Sequence, residues 1–389
     1  MKKILSIVLC LAMVFSLAAC GEKKTEDTKT ADPAATADSA ATTAPAKDDE
    51  GTVDVGIVLP TKDEPRWIQD QAKFEEVIKT TDYKTEVLFS QGSSATEKTN
   101  VETLISKGID VLIICAQDAA AAAGTVEEAQ KAGIKVIAYD RLITDTEAVD
   151  YYVTFDSLEV GKKQGQYLID NAKGTGLPLY LYAGAATDNN AFLFFEGAWS
   201  VLQPKIADGT FVIKNSSEAV ALQDKATLIR DEQAKIIGQV TTDWDFNIAK
   251  SKAEANLTTA KKADKGDCFI LAPNDGTARS IADAFKADSD VTSYQITGQD
   301  SEKASVQYVI DGKQSMTVFK DTRVLATDAM NMAVSILKGE TVEATSSYNN
   351  KVKDVPAKQS PIVVVTAENV QEALIDSGYY PASDFTGLK

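Results

Sequence analysis

The sequence of 389 residues contains no histidine. This absence excludes every catalytic triad that depends on an imidazole, every zinc or haem site with a histidine ligand, and the most common general base at neutral pH. Any enzymatic activity would have to rely on carboxylates, lysines or tyrosines.

Positive charge is also in short supply. The chain has 40 Lys and Arg residues against 57 Asp and Glu residues, which gives a formal charge of −17. Binding to nucleic-acid phosphates or to anionic membranes needs a surplus of cations, so this balance argues against both. It suits a soluble domain that meets a neutral solute.

The apolar run at the N-terminus is too short to span a membrane. Lys2 and Lys3 precede apolar residues 4–17, which fall short of the roughly 20 residues of a membrane-spanning helix. With the small residues that follow, they are the parts of a secretory signal peptide, which we place at residues 1–19. The Leu-Ala-Ala-Cys sequence resembles the lipobox of bacterial lipoproteins and implies lipidation of Cys20. An ordinary cleaved signal with an incidental cysteine is the alternative.

The segment after the signal has the composition of a linker. Residues 21–50 contain no large apolar side chain and are rich in Ala, Thr, Asp and Lys. Such a segment cannot bury enough surface to offset the entropy cost of ordering. We therefore predict a lipidated cysteine and flexible linker at residues 20–50, and a folded part from Gly51 onward.

Cysteine is scarce in the folded part. Of four cysteines, Cys10 lies in the predicted signal and Cys20 in the lipobox. Cys115 and Cys268 lie in apolar, strand-like runs, so we expect buried side chains rather than a disulfide or a reactive thiol.

From Thr52 onward, apolar strand-like runs alternate with amphipathic segments. Continuously apolar strands separated by helices are typical of right-handed βαβ units in a parallel sheet with helices on both faces. The fold class is therefore α/β. The predicted strands are TVDVGIVLP, YKTEVLFSQ, DVLIICAQ and IKVIAYD in the first half, and LPLYLYAG, FVIKNSS, CFILAPND, TSYQITGQD and QSMTVFK in the second.

The two halves share a pattern. GID-VLIICAQD followed by KVIAYDR in the first half corresponds to KGD-CFILAPND followed by YQITGQDS in the second. This repetition, and a length beyond what one core usually covers, predict two similar lobes, each a parallel sheet flanked by helices.

Ligands of open parallel sheets bind beyond the carboxyl ends of the strands. The polar residues at those ends are Gln117, Asp118, Asp140, Arg141, Asp188, Asn189, Asn190, Asn274, Asp275, Gln299, Asp300 and Lys320.

Several motifs occur in an order that resembles a known family. They are PRWIQD, IAYDRLI, YYVTFDSLEVG, TDNNA, APNDGTA, TGQDSE, MTVFKD and YNNKVKDVPA, between about residues 52 and 361. The sequence is similar to type I extracytoplasmic (periplasmic) sugar-binding proteins, in particular the D-xylose-binding and multiple-sugar-receptor branch. The resemblance implies the type I periplasmic-binding-protein fold with the ligand between the lobes. It also implies the lobe boundaries: residues 51–155 plus 317–343 for lobe 1, and 156–316 plus 344–389 for lobe 2.

The resemblance further implies a set of ligand-binding residues. Their types suit a sugar, because Asp and Asn oxygens accept from hydroxyl groups while Arg, Lys and Asn nitrogens donate to them. Tryptophan rings can pack on the apolar C–H faces. The implied residues are Arg66, Trp67, Asp140, Arg141, Asp188, Asn190, Trp244, Asn274, Asp300 and Lys320.

Plainer structural interpretations exist for some of these residues. Asn274 could merely cap the helix that follows it. Lys320 could be a solvated loop residue, and Asp140 and Arg141 could form an ordinary loop ion pair. Trp199 lies in a helical stretch, and we assign it to the core.

One segment departs from the family pattern. The stretch between Gly209 and Trp244 is longer than expected, and DKATLIRDEQAKIIGQV predicts an extra helical segment. Because this stretch leads to Trp244, we expect it to reshape one wall of the cleft. A short oligosaccharide therefore remains open as the ligand in place of a monosaccharide.

The resemblance implies a lipid-anchored solute-binding protein that delivers a xylose-, glucose- or galactose-type monosaccharide to an ABC importer, without catalysis. A sugar sensor that feeds a chemotaxis or signalling receptor is an alternative. A carboxylate-based glycosidase is an alternative of another class, but it needs paired acids across one sugar, whereas the implied set is mixed. We expect an extracytoplasmic monomer with no cofactor and no nucleic-acid partner. We also expect no metal, since no calcium-loop spacing is present in the sequence.

Overall fold

The computed structural model describes residues 52–388. The predicted signal peptide, the lipidation site Cys20 and the linker up to residue 50 lie outside these residues. Among the described helices, none combines the length and apolar character needed to cross a membrane.

The order of elements alternates strands with helices through most of the chain. The strands are β1 (Val55–Leu59), β2 (Thr85–Phe89), β3 (Val111–Ile114), β4 (Lys135–Tyr139), β5 (Tyr151–Phe155), β6 (Leu177–Leu181), β7 (Phe211–Ile213), β8 (Gly266–Leu271), β9 (Val291–Ile296), β10 (Thr317–Lys320), β11 (Ser346–Asn349), β12 (Asp354–Ser360) and β13 (Ile362–Val365). The helices are α1 (Pro65–Ile78), α2 (Ser94–Ser106), α3 (Ala122–Lys131), α4 (Ser157–Asn171), α5 (Asn189–Ala207), α6 (Ser217–Ala221), α7 (Arg230–Val240), α8 (Phe246–Thr259), α9 (Asp275–Ala287), α10 (Lys303–Ile310) and α11 (Thr322–Leu337). Short helical turns occur at Lys262–Asp264, Gln371–Asp376 and Ala382–Asp384.

The first sheet has seven strands in the order β11-β12-β5-β4-β3-β1-β2. Its pairs are parallel except β11 with β12. Helices cover both faces of this sheet. Successive side chains of a strand point to opposite faces, so neighbouring residues pack with different helices. In β1, Val58 packs with Val101 of α2 and Val126 of α3. Its neighbour Ile57 packs with the α1 and α11 side, where Phe74 and Met330 lie.

The second sheet has four parallel strands in the order β7-β6-β8-β9. On one face Leu179 and Phe269 pack with α5 and α7. On the other face Tyr180 and Ile270 pack with α8 and α9. Two parallel sheets, each covered by helices on both faces, confirm the predicted α/β class.

Two segments pair differently from the predicted lobe boundaries. Strand β12 pairs with β5, which places residues 346–360 in the first sheet rather than with lobe 2. Strand β10, which is predicted to belong to lobe 1, does not pair with the first sheet. It pairs with β13, and its Val318 forms a bridge with Gln299, which follows β9 of the second sheet. The physical reason is that the residue pattern within one strand does not specify which strand it pairs with, so tertiary contacts decide the partner.

Three smaller predictions concern buried and inserted residues. Trp199 lies in the core of the second sheet, and Cys115 and Cys268 are buried free thiols, as expected. The extra helical segment forms as α7, which packs with α5 on one face of the second sheet. After α7 the chain bridges from Thr241 to Ala183 and then reaches Trp244.

Candidate functional site

All ten implied ligand residues line one pocket at the carboxyl ends of the two sheets. Including its open side, the pocket encloses about 300 Å³ of space that protein atoms do not occupy. Residues that follow β1 and β4 of the first sheet form one wall. Residues that follow β6, β8 and β9 of the second sheet, with Trp244, form the other.

The guanidinium of Arg66 joins the two walls. Its Nη2 donates to Asp140 Oδ2 at 3.0 Å, and its Nη1 donates to Asp300 Oδ1 at 3.1 Å. Its Nε donates to Asp70 Oδ2 at 2.5 Å, and Asp70 also accepts a short hydrogen bond from Tyr139. Arg66 is only 3% exposed, and Asp70 is fully buried. One buried cation therefore orients three carboxylates from separate parts of the chain.

A second ion pair crosses between the walls. The Nε of Arg141, after β4, lies 2.9 Å from Asp188 Oδ2, after β6. The Trp67 ring lies 5.1 Å from the guanidinium carbons of both Arg66 and Arg141, a cation–π distance. Both guanidinium groups therefore lie within cation–π distance of one ring that lines the pocket.

Lys320 is not a solvated loop residue. Its Nζ lies 2.6 Å from Asp300 Oδ1, and the side chain is buried against Phe155 and Phe194. Asp300 therefore binds Lys320 and Arg66 at the same oxygen. Two cations therefore share one carboxylate oxygen of a residue that lines the pocket.

The side chains of Asn274 and Asn190 are positioned by hydrogen bonds to backbone groups. Asn274 caps α9, since its Oδ1 accepts from the Thr277 amide at 3.3 Å, and it also lines the pocket. Both interpretations of Asn274 therefore hold. The Nδ2 of Asn190 donates to the Asp140 carbonyl oxygen at 2.8 Å, a further contact between the walls.

Trp244 occupies its place because residue 184 is a glycine. A Cβ at Gly184 would lie 2.0 Å from Cζ2 of the Trp244 ring, so only glycine allows the ring to lie there. Trp244 is 8% exposed, and its indole nitrogen has no hydrogen-bond partner among the described residues. A buried, unpartnered N–H that lines a pocket is a donor available to a ligand.

Burial and ion pairing act in opposite directions on the pocket carboxyls. Burial by itself raises the pKa of Asp140, but Arg66, Lys320 and Arg141 outweigh it, so the pKa lies below its usual value. Burial raises the pKa of Asp188, and its partner Arg141 only partly offsets this effect. Asp140 is therefore a permanently ionised acceptor near neutral pH.

The implied set omits three residues that line the pocket, Glu64, Phe194 and Gln299. Gln299 is among the polar residues at strand ends but is absent from the family-implied set. The sequence around Phe194 predicts a core residue of a helix, and nothing in it predicts that Phe194 lines the pocket. The sequence does offer a signal for Glu64. It precedes a proline that begins a helix soon after a strand, which places it near the carboxyl end of that strand.

Two glutamates near Arg141 have strongly shifted pKa values. Burial raises the pKa of Glu64 to about 7, against the opposing effect of Arg141. Burial likewise raises the pKa of Glu97 to about 7, although its Oε2 accepts from the Gln117 amide at 2.7 Å. Glu97 lies on α2 and is 1% exposed.

The Glu97 shift predicts a pH dependence of stability. In the folded protein the carboxyl binds its proton up to about pH 7, whereas its ordinary pKa is 4.5. The folded state therefore holds more protons between these values, and the free energy of unfolding falls as pH rises from about 5 to 8. We expect Glu97→Gln to reduce this fall by about 2 kcal/mol.

Urea denaturation of the wild-type protein and the variant at pH 5 and pH 8 measures this difference. The Glu102→Gln change removes an equal charge from an exposed position on the same helix and serves as the control. An unchanged pH dependence in Glu97→Gln would contradict the shifted pKa.

Residues at the carboxyl ends of two helix-covered β-sheets line one polar pocket. This arrangement is typical of proteins that bind a ligand between two lobes. The chain belongs to the periplasmic binding protein domain family, whose profile matches residues 55–341.

Relatives with known roles agree with this assignment. The chain is 36% identical over 347 residues to the multiple sugar-binding periplasmic receptor ChvE of Rhizobium radiobacter, across 86% of this chain and 92% of that protein. It is 31% identical over 316 residues to the D-xylose-binding periplasmic protein of Haemophilus influenzae, across 81% of this chain and 86% of that protein.

Solved structures are similar over most of the chain. A carbohydrate transporter solute-binding protein from Chloroflexus aurantiacus, in complex with D-glucose, is 70% identical with a TM-score of 0.86, covering 87% of this chain and 99% of that one. An ABC transporter solute-binding protein from Clostridium phytofermentans with bound β-D-glucose is 34% identical with a TM-score of 0.76, covering 85% and 99%. These findings confirm the family resemblance inferred from the motifs.

Proposed function

We propose that the protein is an extracytoplasmic receptor that captures a neutral monosaccharide of the glucose or xylose type in the pocket and delivers it to an ABC importer. The observation that carries this proposal is the paired charge of the pocket. Three cations, Arg66, Arg141 and Lys320, are bound to the carboxylates of Asp140, Asp188 and Asp300.

This pairing suits an uncharged polyol. These ion pairs leave N–H donors and carboxylate oxygens that can bind hydroxyl groups, and the charges of the three cations and the three aspartates sum to zero. Hydrogen bonds to ionised groups are worth roughly 1.5 to 3 kcal/mol each, so a few of them give a sugar substantial affinity. A charged ligand would have to compete with pairs that already exist.

The position of the pocket supports capture by closure of the two lobes. Arg66 and Asp300 come from different sheets, as do Arg141 and Asp188. A sugar that bonds to these residues would add contacts across the same boundary and favour the closed form. In this proposal the closed form is what the importer recognises. A sensory receptor is the alternative partner for the same form.

The contacts speak against a carboxylate-based glycosidase. That reaction needs one protonated acid and a second carboxylate free to attack the sugar or to activate water. Glu64, with its pKa raised to about 7, could hold a proton. Asp140, Asp188 and Asp300 are each bound by an arginine or a lysine, so none is a free nucleophile.

The N-terminal sequence supports an anchored location for this receptor. We propose that the signal at residues 1–19 is removed and that lipidated Cys20 holds the folded part at the outer surface of the membrane. The linker that ends at residue 50 would then give the receptor reach toward its importer.

Calorimetric titration with D-glucose, D-xylose and D-galactose tests the function. We expect saturable binding of at least one sugar by the wild-type protein. Asp140→Ala and Asp300→Ala should each weaken it by about 2 kcal/mol, or roughly 30-fold, because buried partners are left unpaired. Asp170→Ala on the exposed face of α4 is the matched control and should bind as the wild type does.

Two results would contradict the proposal at different points. Unchanged affinity in both aspartate variants would remove the site assignment. A wild-type protein that binds none of these sugars, or that converts one into a product, would overturn the proposed function.

A further inference from the structure

A second cavity adjoins the pocket and shares Glu64 and Trp244 with it. This outer cavity is also lined by Asp63, Gln117 and Asn247, among others. Including the space open to solvent, it encloses about 820 Å³, against about 300 Å³ for the pocket. The outer space is therefore more than twice the size of the space in which we propose that one sugar ring binds.

Both sheets contribute to the walls of the outer cavity. Asp63 and Gln117 follow β1 and β3 of the first sheet. Asp243, Phe246 and Asn247 lie opposite, where α7 connects to α8 beside the second sheet. A molecule in this cavity would contact both walls, as a molecule in the pocket would.

Several polar groups of the outer cavity lack partners within the protein. Among residues 52–388, the side chains of Asp63 and Asn247 form no hydrogen bond or ion pair. The Oε1 of Gln117 and the Nε1 of Trp244 are buried and unpartnered. Together they supply acceptors and donors, the combination that sugar hydroxyls require.

The aromatic and acidic residues of the outer cavity restrict the kind of molecule that could bind there. Phe246 and Trp244 offer aromatic surface for the C–H face of a sugar ring. Asp63, Asp243 and Asp245 carry negative charge, and no Lys or Arg lines this cavity. An anionic group would therefore be repelled, so among sugar rings a neutral one fits this cavity and an acidic one does not.

The backbone at the junction is held in an uncommon conformation. Asp243 has φ of 50° and Trp244 has φ of 61°, the left-handed region that bulky residues rarely adopt. This conformation places the Trp244 ring over Gly184, where it lines both spaces. Strained residues of this kind persist where the surrounding structure fixes them and are frequent at ligand sites.

We propose that the outer cavity is a subsite for a second, neutral sugar ring, so that the protein binds a disaccharide with one ring in the pocket and the next beside Trp244. The inference rests on the proposed function, because it takes the pocket as the site of the first ring. Trp244 is 8% exposed, and its buried, unpartnered indole N–H is the donor at the junction between the rings.

Calorimetric titration with D-glucose, cellobiose, maltose and laminaribiose tests the subsite. We expect at least one disaccharide to bind tenfold or more tightly than glucose. The double variant Asp63→Ala/Asn247→Ala should lower the affinity for that disaccharide to about the level of glucose, while the affinity for glucose changes less than twofold. Glu254→Ala, an exposed acid on α8, controls for the loss of charge.

The outcomes separate this inference from the function on which it rests. Binding of glucose without binding of any of the three disaccharides would overturn the subsite and leave the proposed function intact. Equal losses for glucose and the disaccharide in the double variant would also overturn it. If none of the four sugars binds, the subsite is overturned. The proposed function fails with it only when D-xylose and D-galactose also do not bind.

Discussion

Replacing Arg66 with alanine is expected to abolish measurable sugar binding and to lower the free energy of unfolding by about 3 to 5 kcal/mol. Arg66 contacts Asp70, Asp140 and Asp300, all of them buried. Its removal leaves these carboxylates close together in a region from which water is largely excluded. Breaking a buried charge network by removing one partner is costly, because the remaining charges keep their desolvation penalty.

The loss in Arg66→Ala should also depend on pH. In the wild-type protein Arg66 is the largest of the effects that hold the pKa of Asp140 below its usual value. Without it, Asp140 and Asp70 gain from binding protons in the folded state, so the variant should be less destabilised at pH 5 than at pH 8. Urea denaturation at both pH values measures this difference.

Two further variants make the Arg66 result interpretable. Arg66→Lys keeps the charge but loses the planar fork that reaches three acids, so we expect intermediate stability and weakened binding. Arg323→Ala removes an arginine that pairs with Asp321 at a partly exposed site, and it should cost no more than about 1 kcal/mol. Wild-type stability and sugar affinity in Arg66→Ala would refute the central role of this residue.

The second large effect is expected at the crossing of α4 and α5. A Cβ at Gly161 would lie 1.9 Å from the carbonyl oxygen of Phe194, and a Cβ at Gly197 would lie 2.0 Å from that of Leu158. The neighbouring atoms are backbone, so a larger residue forces the helices apart. We expect Gly161→Ala to lower the free energy of unfolding by about 3 kcal/mol.

The same change should weaken sugar binding, because α5 carries Asn190 and Phe194 at the pocket. Gly238→Ala is the matched control, since it lies on the exposed side of α7 with no atom within 4 Å of its Cβ position. At that site we expect a gain of about 0.5 to 1 kcal/mol from helix propensity. Chemical denaturation and glucose titration measure both effects, and equal stabilities of the two variants would contradict the close crossing.

Much of the fold follows from local pattern. The apolar runs that became β1, β3, β4, β6 and β8 are buried in two parallel sheets, because such runs can only be satisfied between layers of helices. The pairing partners of strands β10 to β13 do not follow from such a pattern. Strand β12 is partly exposed and alternates in burial, so its pairing with β5 depended on the space left at that edge.

The residues that line the pocket illustrate the same division. The motif positions Asp140, Asp188 and Asp300 stand at strand ends, and the topology of a parallel sheet brings such ends together. Phe194 also lines the pocket but has no such signal, and Glu64 is marked only by the proline that follows it. The contribution of both depends on how α1 and α5 are oriented toward the pocket.

By itself, therefore, the sequence determined the α/β class, and the family resemblance of its motifs pointed to the ten residues that line the pocket at the strand ends. These depend on hydrophobic periodicity and on ordered motifs, which are local properties of the chain. The tertiary structure decided which cation binds which acid, the close crossing of α4 and α5, the sheet of each short strand and the presence of the outer cavity. These depend on contacts between residues far apart in sequence, whose distances no local pattern specifies.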